Sequence, residues 1–491
     1  MSLVLIGFMG AGKSSAARAA AAELNARPLD TDQLIEADLG TSIEGWFARH
    51  GERAFREREE EVVLRALAQD AAPILSLGGG AVTSQRVQDA LAAHTVVLLD
   101  VDADTAWQRA GGRRPLARDR QRFDELHAAR GPLYERLADV ILPTSRRDTL
   151  RSALPAIRAL PPGAKLLWAE TASAAYPVFV GEGLVAFRPT GGRGFTVSDT
   201  HVVEHYGPAD HVLPAGETHK TLTTAEGVLR SMAAAGLAHG DHVVAVGGGV
   251  VGDIAGFCAA IYQRGIGVVQ VPTTVVAQVD SAYGGKTGVD LPEGKNYAGA
   301  YHQPQAVVAD PGVLSTLPEA EHAAGWAEVV KTALIAGGAL WKRVQASPAV
   351  DRDVIVACAR TKLAVVAADE RDAGRRQTLN LGHTVGHAIE TATGYVRYRH
   401  GEAVGLGLLA ALSLSNQPGL RSDVADLLAA RGLPTTLDPQ VDREALMAAI
   451  RRDKKRRDGV VGFVLLEAPG ALQTGVGVPE RELRAALEEL G

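Results

Sequence analysis

Along the first 160 residues, short apolar and β-branched runs alternate with longer stretches rich in Ala, Arg and Glu. The runs Leu3–Ile6, Ile74–Leu77 and Thr95–Leu99 have strand length and lead into helical periods, the order that builds a parallel sheet with crossover helices. The stretch Leu160-Pro161-Pro162-Gly163-Ala164 breaks both periodicities, so residues 161–165 read as a linker. Strand-like runs return at Val178–Val180, His242–Val246, Val268–Val271 and Ala306–Val308, whereas the chain beyond Leu314 is almost wholly helical in period. The pattern predicts an α/β fold in three parts: a parallel sheet with helices over 1–160, a second α/β domain over 166–312, and an all-helical domain over 313–491.

The length of 491 residues suits three folded parts, and 46% hydrophobic with 22% charged residues supplies real cores throughout. A net charge of −6 argues against nucleic acid or an anionic membrane as the main partner and leaves small molecules as the expected ligands. No apolar run reaches the roughly 18 residues of a membrane span. Leu3–Phe8 lacks the flanks of a secretory signal, so the expected location is the cytoplasm. Cys258 and Cys358 stand alone in apolar, helix-like stretches and read as core, which excludes a disulfide framework or a thiolate zinc cluster. Ten lysines stand against forty-one arginines, so a lysine here marks a place where a point ammonium is needed rather than a generic cation.

Leu3–Ile6 runs into Gly7-Phe8-Met9-Gly10-Ala11-Gly12-Lys13-Ser14 and then an Ala-rich helix, the strand, GxxxxGKS loop and helix order of a P-loop. Such a loop wraps backbone N–H groups around a β-phosphate, while Lys13 reaches the β- and γ-oxygens and the Ser14 hydroxyl ligates Mg²⁺. Gly7, Gly10, Ala11, Gly12, Lys13, Ser14 and Ser15 are the candidate ATP contacts. Behind the loop come Asp30-Thr31-Asp32, Phe55-Arg56-Glu57, Gly78-Gly79-Gly80, Arg114-Pro115-Leu116 and Arg130-Gly131-Pro132-Leu133-Tyr134. Together, in this order, they resemble the shikimate kinase family over residues 1–150. The resemblance implies that Asp32 takes the proton of the acceptor hydroxyl or orients it, and that Asp30 stands behind Mg²⁺. It also implies that Arg56 and Arg130 clamp the shikimate carboxylate under the Gly78–Gly80 backbone, with Arg114 in a lid and Arg109 beside the adenine.

The run His242–Val246 ends in Gly247-Gly248-Gly249-Val250-Val251-Gly252-Asp253, formally GxGxxG, yet no acidic residue stands at a strand end about 20 positions on. His383 and His387 are spaced i,i+4 on a helix-like segment, which by itself nominates both as ligands of one metal. Around these lie Arg264-Gly265, Pro272-Thr273-Thr274, Asp280-Ser281, Gly284-Gly285-Lys286-Thr287-Gly288, Lys295-Asn296, Glu328, Lys331, Lys362, Arg376, Asn380-Leu381-Gly382-His383-Thr384-Val385-Gly386-His387 and His400-Gly401-Glu402.

In order and type this set resembles the 3-dehydroquinate synthase family over residues 166–480. The resemblance implies Glu328, His383 and His400 as ligands of Zn²⁺ or Co²⁺, with His387 left for the substrate phosphate. Lys286, Asn296, Asn380 and Lys454 would join it there, Lys362 and Arg376 would hold a carboxylate, and Asp280 and Lys331 would sit at the reacting hydroxyls. NAD⁺ would contact Asp199, Glu217, Lys220, Gly248, Gly249, Val250, Asp253, Thr273, Thr274, Lys286 and Lys295. Arg264 would reach the phosphate of a neighbouring subunit, which implies a homodimer. The implied chemistry oxidises a secondary alcohol of 3-deoxy-arabino-heptulosonate 7-phosphate, eliminates phosphate, returns the hydride and closes the ring to 3-dehydroquinate. Rival readings keep both folds, with the P-loop unit as an ATP-sensing or assembly module, or with another sugar-phosphate cyclase in the longer part.

Overall fold

The computed structural model describes residues 2–69, 74–110, 119–452, 456–457 and 460–491. The chain divides into two compact units, Met1–Ala169 and Glu170–Gly491.

In the first unit, strands β1 (Leu3–Ile6), β2 (Leu29–Asp30), β3 (Ile74–Ser76), β4 (Thr95–Asp100), β5 (Val140–Pro143) and β6 (Lys165–Glu170) lie in the order β2-β3-β1-β4-β5-β6. All pairs are parallel. Leu3–Ile6 is fully buried, as expected of a central strand covered on both faces by helices. β1 runs into the loop before helix Lys13–Glu23, and the strand order reverses at β1, so a crevice opens beyond the carboxyl ends of β1 and β3.

The Pro-Pro-Gly break is not a linker between units. It is a turn from helix Thr149–Arg158 into β6, which pairs Leu166 with Val140. Lys165 seals that turn by donating to the carbonyls of Glu135 at 3.0 Å and Ala138 at 2.8 Å. The residues expected to be tether are therefore part of the first unit.

In the second unit, β7 (Ala175–Val180), β8 (Gly194–Asp199), β9 (His211–Leu213), β10 (His242–Gly247), β11 (Gly267–Pro272) and β14 (Ala306–Ala309) form a parallel sheet ordered β7-β14-β11-β10-β8-β9. Its core joins Val243 and Ala245 of β10 to Val251, Ile254 and Cys258 of helix Gly249–Ile261. β12 (Lys286–Leu291) and β13 (Gly294–Tyr301) make a separate antiparallel hairpin.

The region beyond residue 313 is mostly helical and falls with the α/β part in one compact unit. It also carries an antiparallel pair, Val460–Ala468 with Ala471–Gly477, that the helical periodicity did not predict. Helices Glu319–Ala336 and His400–Leu414 approach so closely that a Cβ on Gly401 would stand 1.8 Å from the Ala324 carbonyl oxygen. A Cβ on Gly407 would stand 2.0 Å from that of Gly382, so glycine is required at both crossings. Among the described residues no helix is long and apolar enough to cross a membrane.

Candidate functional site

The first constellation assembles at the carboxyl ends of β1, β2 and β3. Gly10 and Gly12 take left-handed φ of +83° and +84°, which bends the loop so that helix Lys13–Glu23 opens without a side-chain cap and its N–H groups face the crevice. Lys13 is buried and donates to the carbonyls of Gly7 (2.8 Å) and Phe8 (3.2 Å), so its ammonium is held within the loop. Ser14 Oγ donates to Asp30 Oδ2 at 2.5 Å, and Asp30 Oδ1 accepts the Asp32 N–H at 3.0 Å. One carboxylate thus fixes both the hydroxyl suited to Mg²⁺ and the backbone that carries Asp32.

Arg56 faces the same crevice. Its Nη1 lies 2.5 Å from Glu59 Oε2, and a Cβ on Gly80 would stand 1.9 Å from that nitrogen. A Cβ on Gly78 would be 2.8 Å from both Asp32 Oδ1 and Glu59 Oε1. The Gly79 carbonyl accepts from Tyr134 Oη at 2.5 Å and from Arg130 Nη1 at 3.4 Å. The glycine run therefore lets backbone lie against two guanidinium groups and two carboxylates at once. Burial pushes the Glu59 carboxyl up and only part of this is offset by Arg56, while burial pushes the Tyr134 phenol up to about 12.

Glu59 escaped the sequence reading, although its i+3 spacing from Arg56 on helix Ile43–Leu67 was a usable signal. Arg109 donates to the Thr144 carbonyl at 3.0 Å. Arg114 and Lys454 lie outside the described residues.

In the second unit, Glu328 and Lys331 sit one helical turn apart on Glu319–Ala336, and both are 1% exposed. His383 opens helix His383–Ala392 and His400 opens His400–Leu414. Glu328 Oε1 lies 3.5 Å from His383 Nε2 and 3.4 Å from His400 Nε2. Donor atoms of these three residues fall within 4.8 Å of one another, and Glu328 Oε1, which faces both imidazoles, has no other hydrogen-bond partner. His383 Nδ1 lies 3.2 Å from the Leu381 carbonyl, an acceptor only, so Nδ1 carries the hydrogen and Nε2 presents its lone pair inward. Two imidazole nitrogens and an orphaned carboxylate oxygen converging in a buried place are the donor set of a divalent cation. His387, the other half of the i,i+4 pair, is exposed and falls instead in a second grouping with Glu390 and His400.

Asp280 stands on a π-helical turn, Ala277–Ser281, of the kind that recurs at functional sites. Its Oδ2 accepts from Lys331 Nζ at 2.8 Å, and Lys362 Nζ donates to its Oδ1 and, at 2.7 Å, to its carbonyl. Burial opposes ionisation of Asp280, yet the two ammonium groups hold its carboxyl well below the usual range. Lys331 also contacts Glu328 Oε2, so the Asp280–Lys331 pair touches the set of Glu328, His383 and His400. Burial opposes the charge on Glu328 as well, and Lys331 with His400 keeps that carboxyl low.

Arg376, 2% exposed, donates to the carbonyls of Glu370 (2.5 Å) and Gly284 (2.9 Å). Asn380 ends the same turn, Arg375–Asn380.

Several residues expected to meet the dinucleotide follow the carboxyl ends of β10 and β11. Gly248 caps helix Gly249–Ile261 with no side-chain partner, and a Cβ there would stand 2.9 Å from Thr274 Cγ2. That bare helix start, with Val250 beside it and Thr273 at the end of β11, fits a pyrophosphate. Buried Lys220 pairs with Asp253 at 2.6 Å and donates to Asn296 Oδ1 at 2.7 Å, and Lys295 lies 3.3 Å from Glu217.

Asp199 spends one oxygen on the N–H groups of His201 and Val202, Lys286 pairs with Asp372 at 2.5 Å, and Arg264 is exposed with φ +69°.

Comparison with known proteins separates the same two parts. Residues 9–160 match the shikimate kinase family, 210–324 match 3-dehydroquinate synthase N-terminal, and 325–456 match 3-dehydroquinate synthase C-terminal. The 3-dehydroquinate synthase of Halorhodospira halophila is 44% identical over 342 residues, covering 64% of this chain and 96% of the relative. That of Symbiobacterium thermophilum is 43% identical over 350 residues, covering 64% and 98%. Among solved structures, 2-deoxy-scyllo-inosose synthase complexed with carbaglucose-6-phosphate, NAD⁺ and Co²⁺ superposes with a TM-score of 0.60 at 27% identity, covering 67% of this chain and all of that one. The 2-epi-5-epi-valiolone synthase of Streptomyces hygroscopicus, with NAD⁺ and Zn²⁺ bound, gives 0.58 at 28%, covering 65% and 97%. The chain therefore belongs to the 3-dehydroquinate synthase family through its longer unit and carries a shikimate kinase in its shorter one, a bifunctional enzyme of the shikimate pathway.

Proposed function

We propose that the shorter unit phosphorylates shikimate from Mg²⁺-ATP and that the longer unit converts 3-deoxy-arabino-heptulosonate 7-phosphate to 3-dehydroquinate, using NAD⁺ and one Zn²⁺ or Co²⁺. In the shorter unit, Lys13 leaves the loop carbonyls for the phosphate oxygens, Ser14 turns from Asp30 to Mg²⁺, and Asp32 accepts the proton of the attacking hydroxyl. Arg56 and Arg130 grip the carboxylate against the Gly78–Gly80 backbone. The assembled acceptor pocket speaks against a P-loop unit kept only to sense ATP.

In the longer unit, Glu328, His383 and His400 hold the cation, and the bare start of helix Gly249–Ile261 with Lys220, Asp253 and Glu217 holds the dinucleotide. When bound, the pair supplies a Lewis acid and a reversible hydride acceptor. Asp280 and Lys331 lie side by side against the ligand set, placed to take and return the proton of the polarised hydroxyl. Lys362 and Arg376 exchange their present acceptors for the substrate carboxylate. Lys286, Asn296, Asn380, His387 and Lys454 meet the phosphate. The carboxylate-binding pair, together with relatives at 43–44% identity, favours dehydroquinate formation over the other cyclisations. Arg264, exposed on its turn, suits the phosphate site of a second copy, which makes the working form a homodimer, and the expected compartment is the cytoplasm.

The convergence of Glu328, His383 and His400 beside Asp280 and Lys331 carries this reading. Assays of both reactions on the whole chain, with Mg²⁺ saturating and with or without a transition-metal chelator, test it. Chelation is expected to abolish dehydroquinate formation and spare shikimate phosphorylation. Persistence of the former in metal-depleted protein overturns the assignment.

A further inference from the structure

We propose that Glu390 is the positioning residue of the metal centre, orienting His400 from behind while Lys295 clamps it from the nucleotide side. This rests on the reading that Glu328, His383 and His400 hold the cation.

Glu390 is 2% exposed on helix His383–Ala392. Its Oε2 lies 3.4 Å from His400 Nδ1, and its Oε1 accepts from Lys295 Nζ at 3.1 Å. Lys295 belongs to β13, also reaches Glu217 Oε1 at 3.3 Å, and sits 4.7 Å from the centre of the Tyr395 ring. A buried carboxylate is stable as an ion only when paired and hydrogen-bonded, and Glu390 has both partners. Lys295 can only donate, and the Glu390 carboxylate that receives its hydrogen bond presents its other oxygen to His400 as an acceptor. His400 Nδ1 must then carry the hydrogen, which turns the Nε2 lone pair toward Glu328 and raises its basicity.

The two histidine ligands differ in this respect. His383 leans on a neutral carbonyl, whereas His400 leans on a full charge. The charge is in turn pinned by a lysine from the hairpin that also faces the dinucleotide residues. Metal affinity is therefore set partly by a lysine that never touches the metal.

The measurement is Zn²⁺ affinity of the full chain by competition with a chromophoric chelator, for wild type, His383→Ala, Glu390→Gln and Lys295→Met. Glu390→Gln keeps the shape of the side chain and removes its charge, and is expected to weaken Zn²⁺ binding by about 10–100-fold. Lys295→Met is expected to weaken it by a smaller factor, with the metal-free unfolding midpoint close to wild type in both. Wild-type Zn²⁺ affinity in a folded Glu390→Gln chain overturns the inference. If that variant does not fold, unchanged affinity in Lys295→Met does the same. Should His383→Ala bind Zn²⁺ as tightly as wild type, the ligand assignment itself fails, a result separable from the other two.

Discussion

At the scale of single residues, the two places proposed to bind a carboxylate use cations in different ways. Arg56 is half-buried, with Glu59 on one side and the Gly80 backbone on the other, so its planar fork is fixed before substrate arrives. Lys362 is a point charge spent on Asp280 until a ligand competes for it, and burial holds its ammonium below the usual lysine range. An Arg56→Lys substitution keeps the charge and loses the fork. Losing one charge-assisted hydrogen bond costs about 2 kcal/mol, so kcat/KM for shikimate should fall roughly thirty-fold, mostly through KM. Steady-state kinetics at saturating ATP measure this, and an unchanged KM removes Arg56 from the carboxylate site.

Lys13, Asp32, Glu328 and His383 were legible as candidates, since a motif or a resemblance nominates each. Glu59 and Glu390 were not, because each matters through a partner brought near by helix packing and carries no ligand of its own. The i,i+4 spacing of His383 and His387 was an incomplete guide for the same reason. It finds two imidazoles on one helical face but cannot see that Glu328 and His400 arrive from other helices.

At the scale of elements, the loop from 369 to 376 shows how a buried guanidinium is delivered. Asp369 accepts the N–H groups of Ala373 (2.9 Å), Gly374 (2.7 Å) and Arg376 (2.9 Å), tying the loop that ends in Arg376. Those bonds, chiefly the one from Arg376, hold its carboxyl near 2, below its ordinary value of 3.8. The bonds favour the charged form, so their stabilisation is complete above about pH 4 and is lost as pH falls toward 2. Asp369→Ala should cost about 1 kcal/mol, as loss of a cap does, and lower the unfolding midpoint by roughly 2 °C at pH 7. The gap from wild type should narrow as the pH is lowered below 4. Unfolding curves across that range measure it, and a gap that stays constant contradicts the assignment.

Elements with strong periodicity, such as β1, β10 and the long helices, could be read from the chain. The pair Val460–Ala468 and Ala471–Gly477 could not, since the first run lacks strict alternation and the second is mostly exposed. The Pro-Pro-Gly segment misled for a physical reason, because the same residues that end a domain also end a helix before a strand.

At the scale of the whole molecule, two anion-binding sites share one polypeptide, and each unit supplies its own sheet edge and helix start. If Arg264 serves the site of a second copy, subunits inactivated in different ways complement one another. An equal mixture of Arg264→Ala and Lys286→Ala chains, allowed to exchange, should recover up to about a quarter of wild-type dehydroquinate synthase activity, since half the dimers are mixed and each holds one intact site. Activity assays after exchange, with mixed dimers verified by tagged pull-down, measure this. Mixed dimers without recovery rule out the shared site.

The glycine crossings at Gly401 and Gly407 let Glu328, His383 and His400 come from three separate helices. An ion seated among them is a rivet through the bundle as much as a reagent. At one hundred times its dissociation constant it adds about 2.7 kcal/mol to the folded state. Scarcity of the ion thus leaves behind a perishable protein as well as an idle catalyst, and the durability of the longer unit rises and falls with mineral supply.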